Sequence, residues 1–254
     1  MIYKRVAARL RAQDWVAITI ELGIVVIGVF LGIWVAGWNQ QRVEQRETQE
    51  LLVQLKPELV ALDSFSHKAR AYYALTRRYS RTAFAGWKND PRVSDPEFVV
   101  AAYQASQIYG FGNNGQSWAM IFGGETLRRI SDPQIRTPLT RLMTFDYQSL
   151  NYAAVTTQYR DDVRKVIPEP IQELIRQLCG DRLGSDSRTL ELPESCTIPI
   201  SPTQAHEAAQ ALRAHPELAN ELALHQSALS TYETNLDQFD VPRKQLFERI
   251  SLIK

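Results

Sequence analysis

Residues Trp15–Trp38 read WVAITIELGIVVIGVFLGIWVAGW, and Glu21 is the one ionisable side chain among these 24 residues. As an α-helix they extend about 36 Å, enough to cross a ~30 Å hydrocarbon layer with some tilt. Trp15 at one end, with Trp34 and Trp38 at the other, stands where an aromatic belt forms at the two membrane boundaries. A cleaved signal peptide is the competing reading, and it calls for an apolar region of about 7–15 residues followed by a small-x-small site. The run here is longer, and only Val35-Ala36-Gly37 weakly resembles such a site. The segment is therefore expected to remain as an uncleaved single span.

Working outward, residues 1–14 carry Lys4, Arg5, Arg9 and Arg11, whereas residues 39–58 mix Arg42, Arg46 and Lys56 with Glu44, Glu47, Glu50 and Glu58. Flanking positive charge favours the inside. This predicts a short cytoplasmic segment at 1–14, a transmembrane helix at 15–38 and an extracytoplasmic domain at 39–254. Cys179 and Cys196 lie 17 residues apart in a loop-like stretch, a spacing that suits a disulfide in an oxidising compartment. Two unpaired cysteines in a cytosolic domain are the alternative.

Glu21 is costly in lipid unless it is protonated, paired or turned toward protein. At 100° per residue Gly28, Gly32 and Asn39 fall on nearly the same line as Glu21, and Ala36 extends the stripe as a small-xxx-small pattern. Gly28-x-x-x-Gly32 is a close-approach motif for another helix. The plainer reading is a Glu that snorkels to the headgroups among glycines that are common in spans. The partner expected for the stripe is another membrane protein or a second copy of this chain, in contact with the bilayer.

The whole chain has 254 residues, with 29 Lys+Arg against 28 Asp+Glu. A net charge of +1 lacks the dense basic face that nucleic acid demands. A mean hydropathy of −0.27 excludes a polytopic membrane protein, and two cysteines are too few for a disulfide scaffold.

Beyond the span, apolar residues recur at steps of three and four, which predicts an all-α fold: the transmembrane helix continuing into an elongated helical bundle. Leu52, Leu55, Leu59, Leu62, Ser66, Ala69, Tyr73 and Thr76 trace one face of a helix ending near Gly86, with Pro57 kinking it near Leu55. A turn-rich linker (87–96) precedes a short helix at 96–109, a loop at Gly110–Gly115 and a helix from Gln116 to Ile130. Ser131-Asp132-Pro133 opens a helix expected to run to Val166, and 168–178 forms another. Gly180–Pro202 is a polar loop. The last helix starts at Pro216 and carries Leu218, Leu222, His225, Leu229, Tyr232, Leu236 and Phe239 in a heptad seam; Val241-Pro242 is expected to interrupt it.

Catalytic signals are weak. The four histidines (His67, His206, His215, His225) show no helical metal-ligand spacing, and no Gly-x-Ser-x-Gly elbow occurs. His225, in the seam, is either a hydrogen-bonded core histidine or a proton-sensitive core position. Arg77, Arg78, Arg81 and Arg128-Arg129 fit an anion or lipid headgroups, or simply face water. The aromatic residues between Tyr72 and Trp118 fit a core more readily than a pocket. No cofactor, metal or nucleic acid is expected, and an enzyme is disfavoured.

Glu21-Leu22, Gly28-Val29, Leu31 and Trp38-Asn39, together with Gly124-Glu125-Thr126-Leu127, Ile130, Asp132-Pro133 and Ile135-Arg136, resemble a widespread family of uncharacterised bacterial single-span membrane proteins. The resemblance covers about a quarter of the chain. It implies an inner-membrane location with a periplasmic helical domain, and supplies no catalytic residues. The expectation is a membrane-anchored interaction or accessory protein. A sensor-like periplasmic ligand-binding bundle acting through a partner is the alternative.

Overall fold

The computed structural model describes residues 15–109, 123–150, 157–184 and 189–253. The expected segment 1–14, the Gly110–Gly115 loop and the start of the helix expected from Gln116 lie outside the described residues. Two long helices open the described chain: α1 (Trp15–Gln54) and α2 (Lys56–Trp87). They meet at Leu55, where Pro57 has no N–H for the Val53 carbonyl and the Leu55 N–H bonds the Leu52 carbonyl at 3.2 Å instead. The kink therefore falls where the proline demands it.

α3 (Asp95–Gln104), α4 (Glu125–Arg129), α5 (Pro133–Met143), α6 (Gln158–Val166) and α7 (Glu169–Cys179) follow. Strands β1 (Arg182–Leu183) and β2 (Leu190–Glu191) pair antiparallel, and α8 (Pro202–Arg213) and α9 (Glu217–Ser251) complete the described chain. α2 and α9 form an antiparallel pair. Contacts run in opposite order along the two helices, from Lys56 Nζ to the Ile253 carbonyl (3.0 Å), through Ser66 and Asp240, to Tyr73 on Tyr232 and Arg77 with Glu233. Both seams repeat every three and four residues, so their apolar stripes stay opposed over the full contact. α3 crosses α2 closely at Gly86: a Cβ there would lie 2.1 Å from the Phe98 ring. Only glycine permits that crossing.

The structure corrects several boundaries. The helix expected over 131–166 is α5, a 3-10 turn at Tyr147–Leu150 and α6. The Asp146 side chain accepts from the Gln148 N–H, forming a local turn that competes with helix, and Thr157 caps the restart by accepting from the Arg160 N–H. α3 stops at Gln104 because its last carbonyls find other donors, such as the Ser106 hydroxyl on the Tyr103 carbonyl. Pro242 does not interrupt the last helix. α9 runs through it, and the seam continues unbroken as Phe239, Arg243, Leu246 and Ile250, all buried. Packing against α2 on both sides of the proline outweighs a penalty of about 3 kcal/mol. α8 escaped the sequence reading although Ser201 and Gln204 form a reciprocal capping box at its start.

Candidate functional site

α1 is one uninterrupted helix of 40 residues, so the angular spacing inferred for Glu21, Gly28, Gly32, Ala36 and Asn39 applies without correction. All five are exposed. A Cβ placed at Gly28 or Gly32 would meet nothing within 4 Å. The domain's own helices leave the span bare: Trp15, Phe30 and Trp34 are 63%, 69% and 69% exposed. In length and composition this helix suffices to cross a membrane. At the C-terminal end of the apolar run the Arg42 guanidinium lies 3.8 Å over the Trp38 ring, a cation–π pairing.

Cys179, the last residue of α7, is bonded to Cys196 with a Cα–Cα distance of 5.6 Å. The bracketed hairpin is also held by α2, where Tyr79 donates to the Pro193 carbonyl (2.9 Å), Arg78 donates to the Glu194 carbonyl (2.7 Å) and Lys68 pairs with Glu191.

His225 is buried, with Thr157 Oγ1 2.9 Å from its Nδ1 and the Tyr159 ring centred 5.8 Å away. Burial, helped by the Arg160 charge and opposed by the Ala105 backbone, pushes the ring down to about 4. It is thus a neutral core histidine at neutral pH. The anion-binding expectation at Arg77 and Arg129 meets carboxylates instead: Arg77 is bidentate on Glu233, and Arg129 lies 3.6 Å from Glu44. The aromatic residues Tyr72, Tyr73, Tyr103 and Tyr109 are core.

Sequence reasoning missed a charged cluster between α2 and α9. Arg243, 3% exposed, donates to Asp240 (2.9 Å) and approaches Asp63 (2.6 Å). Arg70 and Ser66 each donate to the other Asp240 oxygen at 2.9 Å. Burial alone would raise Asp240, but hydrogen bonds from Arg70, Arg243 and Ser66 outweigh it and hold the carboxyl below its ordinary value. The signal was in the heptad: counting on from Phe239, the next seam position is Arg243. Among the described residues no three His, Cys, Asp or Glu side chains come together to hold a metal.

A groove of about 550 Å³ runs between α5 and α9, lined by Gln134, Pro138, Arg141, Gln245, Glu248 and Leu252. Comparison with protein families, curated proteins and solved structures found no match.

Proposed function

We propose that this chain is a single-span membrane anchor that docks on a membrane partner through the Glu21, Gly28, Gly32, Ala36 and Asn39 stripe, with its helical domain capping or scaffolding that partner outside the cytoplasm. The bare Gly28–Gly32 face carries this reading. A helix with two glycines one turn apart and no covering side chains lets a second backbone approach closely, and a carboxyl on the same face gains by turning toward protein. The disulfide and the basic segment 1–14 support an N-terminus inside and a periplasmic domain at the inner membrane of a bacterium. The partner is a second copy or a different membrane protein. No catalytic role is assigned.

The test is affinity purification of the full chain from native membranes, with mass spectrometry of stoichiometric companions. Gly28→Leu/Gly32→Leu should strip the companion or dissolve the homo-oligomer while the domain still folds. Unchanged retention with both leucines in place would sink the docking surface. Thiol alkylation before and after reduction tests the topology: two masked thiols are expected, and two free thiols in native membranes would reverse it.

The groove between α5 and α9 favours a second reading, a sensor-like bundle that binds a small molecule there and acts through a partner. A ligand that binds only the folded chain raises its melting temperature. An Arg141→Ala variant that removes such a rise would favour this reading.

A further inference from the structure

α6 presents two arginines, Arg160 and Arg164, one turn apart on the same face. Arg160 Nη1 donates to the Ser106 carbonyl (2.6 Å) and to Gln107 Oε1 (3.3 Å), and Arg164 Nη2 donates to the same Gln107 oxygen (3.3 Å). Gln107 is 6% exposed, and its amide nitrogen donates to Gln104 Oε1 (3.2 Å). Gln104, fully buried, donates in turn to the Cys179 carbonyl (2.7 Å). A relay of buried amides therefore runs from the disulfide to the two guanidinium groups and sets their position. The Tyr103 ring, 4.9 Å from the Arg164 guanidinium carbon, backs the second of them.

Among the described residues neither arginine forms an ion pair. Of the acids around them, Asp161 partly offsets the Arg164 charge, Asp162 pairs with Lys165, and Glu169 and Glu173 pair with Arg176. Asp181 accepts from the Tyr72 hydroxyl at 2.7 Å; burial raises its carboxyl above the ordinary value, opposed by that hydrogen bond and by the charges of Arg160 and Arg164. Among the described residues, Arg164 Nε is buried with no hydrogen-bond partner. Burial and the neighbouring Arg160 charge both weaken proton binding by Arg164. A buried donor left unmade beside a like charge is unfavourable, and such a group calls for a partner that the chain does not supply.

We propose that Arg160 and Arg164, positioned by Gln107, form a binding site for a soluble oxyanion of the phosphate class. A dianion would neutralise both guanidinium groups and accept from Arg164 Nε, and two planar forks of N–H donors suit a tetrahedral oxyanion. The source is a free anion rather than a lipid headgroup. Tyr72, beside the cluster through Asp181, is separated from Trp38 by 34 residues of nearly continuous helix, about 50 Å.

The experiment uses the full chain in a maltoside detergent, which contributes no phosphate. Thermal melts and calorimetry are run against potassium phosphate, potassium sulfate and, at matched ionic strength, potassium chloride. Phosphate and sulfate should raise the melting temperature saturably, and chloride should not. Arg164→Lys, which loses Nε and the fork, should bind phosphate about tenfold more weakly. Arg160→Gln/Arg164→Gln should lose the response to phosphate and sulfate. If the double variant fails to fold, Arg164→Lys decides. Equal shifts with chloride would overturn the site, as would unchanged affinity in Arg164→Lys. So would a response confined to phosphatidylglycerol vesicles, or one to succinate in place of phosphate.

Discussion

α1 and α9 are both long helices, of 40 and 35 residues, and they solve opposite problems. Over Trp15–Trp38 α1 is apolar apart from Glu21, and the described bundle leaves its large side chains exposed, the pattern of a helix long and apolar enough to cross a membrane. α9 carries a continuous apolar stripe and buries it against α2, α5 and α6, although Leu224 and Val241 stay exposed off the stripe. Each carries ionisable groups on an otherwise apolar face. Glu21 lies on an exposed face of α1, whereas Arg243 and Asp240 are buried and matched within the fold by Asp63, Arg70 and Ser66.

The contrast breaks most readily at Arg243. Arg243→Met leaves buried Asp240 short of a cation and should destabilise the domain by about 3–5 kcal/mol, whereas Asp240→Leu/Arg243→Met should recover much of that loss. Chemical denaturation of the full chain in detergent measures both. Reduction of Cys179–Cys196, which closes a loop of 17-residue separation, should cost about 3 kcal/mol in the same assay and loosen the hairpin first.

Acid is a gentler probe. The unfolded His225 ring takes a proton near 6.5 and the folded one only at about 4, so folding is opposed progressively as pH falls between those values. At 1.36 kcal/mol per unit the loss approaches about 3 kcal/mol and is complete below pH 4. Asp181, raised by burial, works in the opposite sense as pH falls. His225→Leu should flatten stability across this window, and a slope unchanged by that substitution would place the acid sensitivity elsewhere. Glu233→Gln, at the half-exposed Arg77 pair, should cost no more than about 1 kcal/mol. Smallest of all, Gly28→Leu/Gly32→Leu should leave domain stability within about 0.5 kcal/mol of wild type, because nothing in the fold touches those positions. A larger loss would mean that span and domain are not independent.

The membrane-length apolar helix, the all-α class, the α2 and α9 seams and the kink at Leu55 were legible in the sequence because each is a local property: hydropathy, periodicity and a missing N–H. Where sequence reasoning failed, a non-local contact or an overlooked local cap decided. Pro242 looked like a stop, yet α2 packs on both sides of it. The Asp146 turn divides a run whose apolar spacing alone suggested one helix. Ser201 and Gln204 announced α8 locally and were passed over. The counterions of Arg243 come from Asp63, 180 residues earlier in the chain, as well as from Asp240, and the amides that position Arg160 and Arg164 come from the end of α3. Sequence alone determined which residues must leave water, since that follows from their own chemistry. Tertiary structure decided which charges could accompany them, because a buried charge is tolerable only where a distant part of the chain brings its partner.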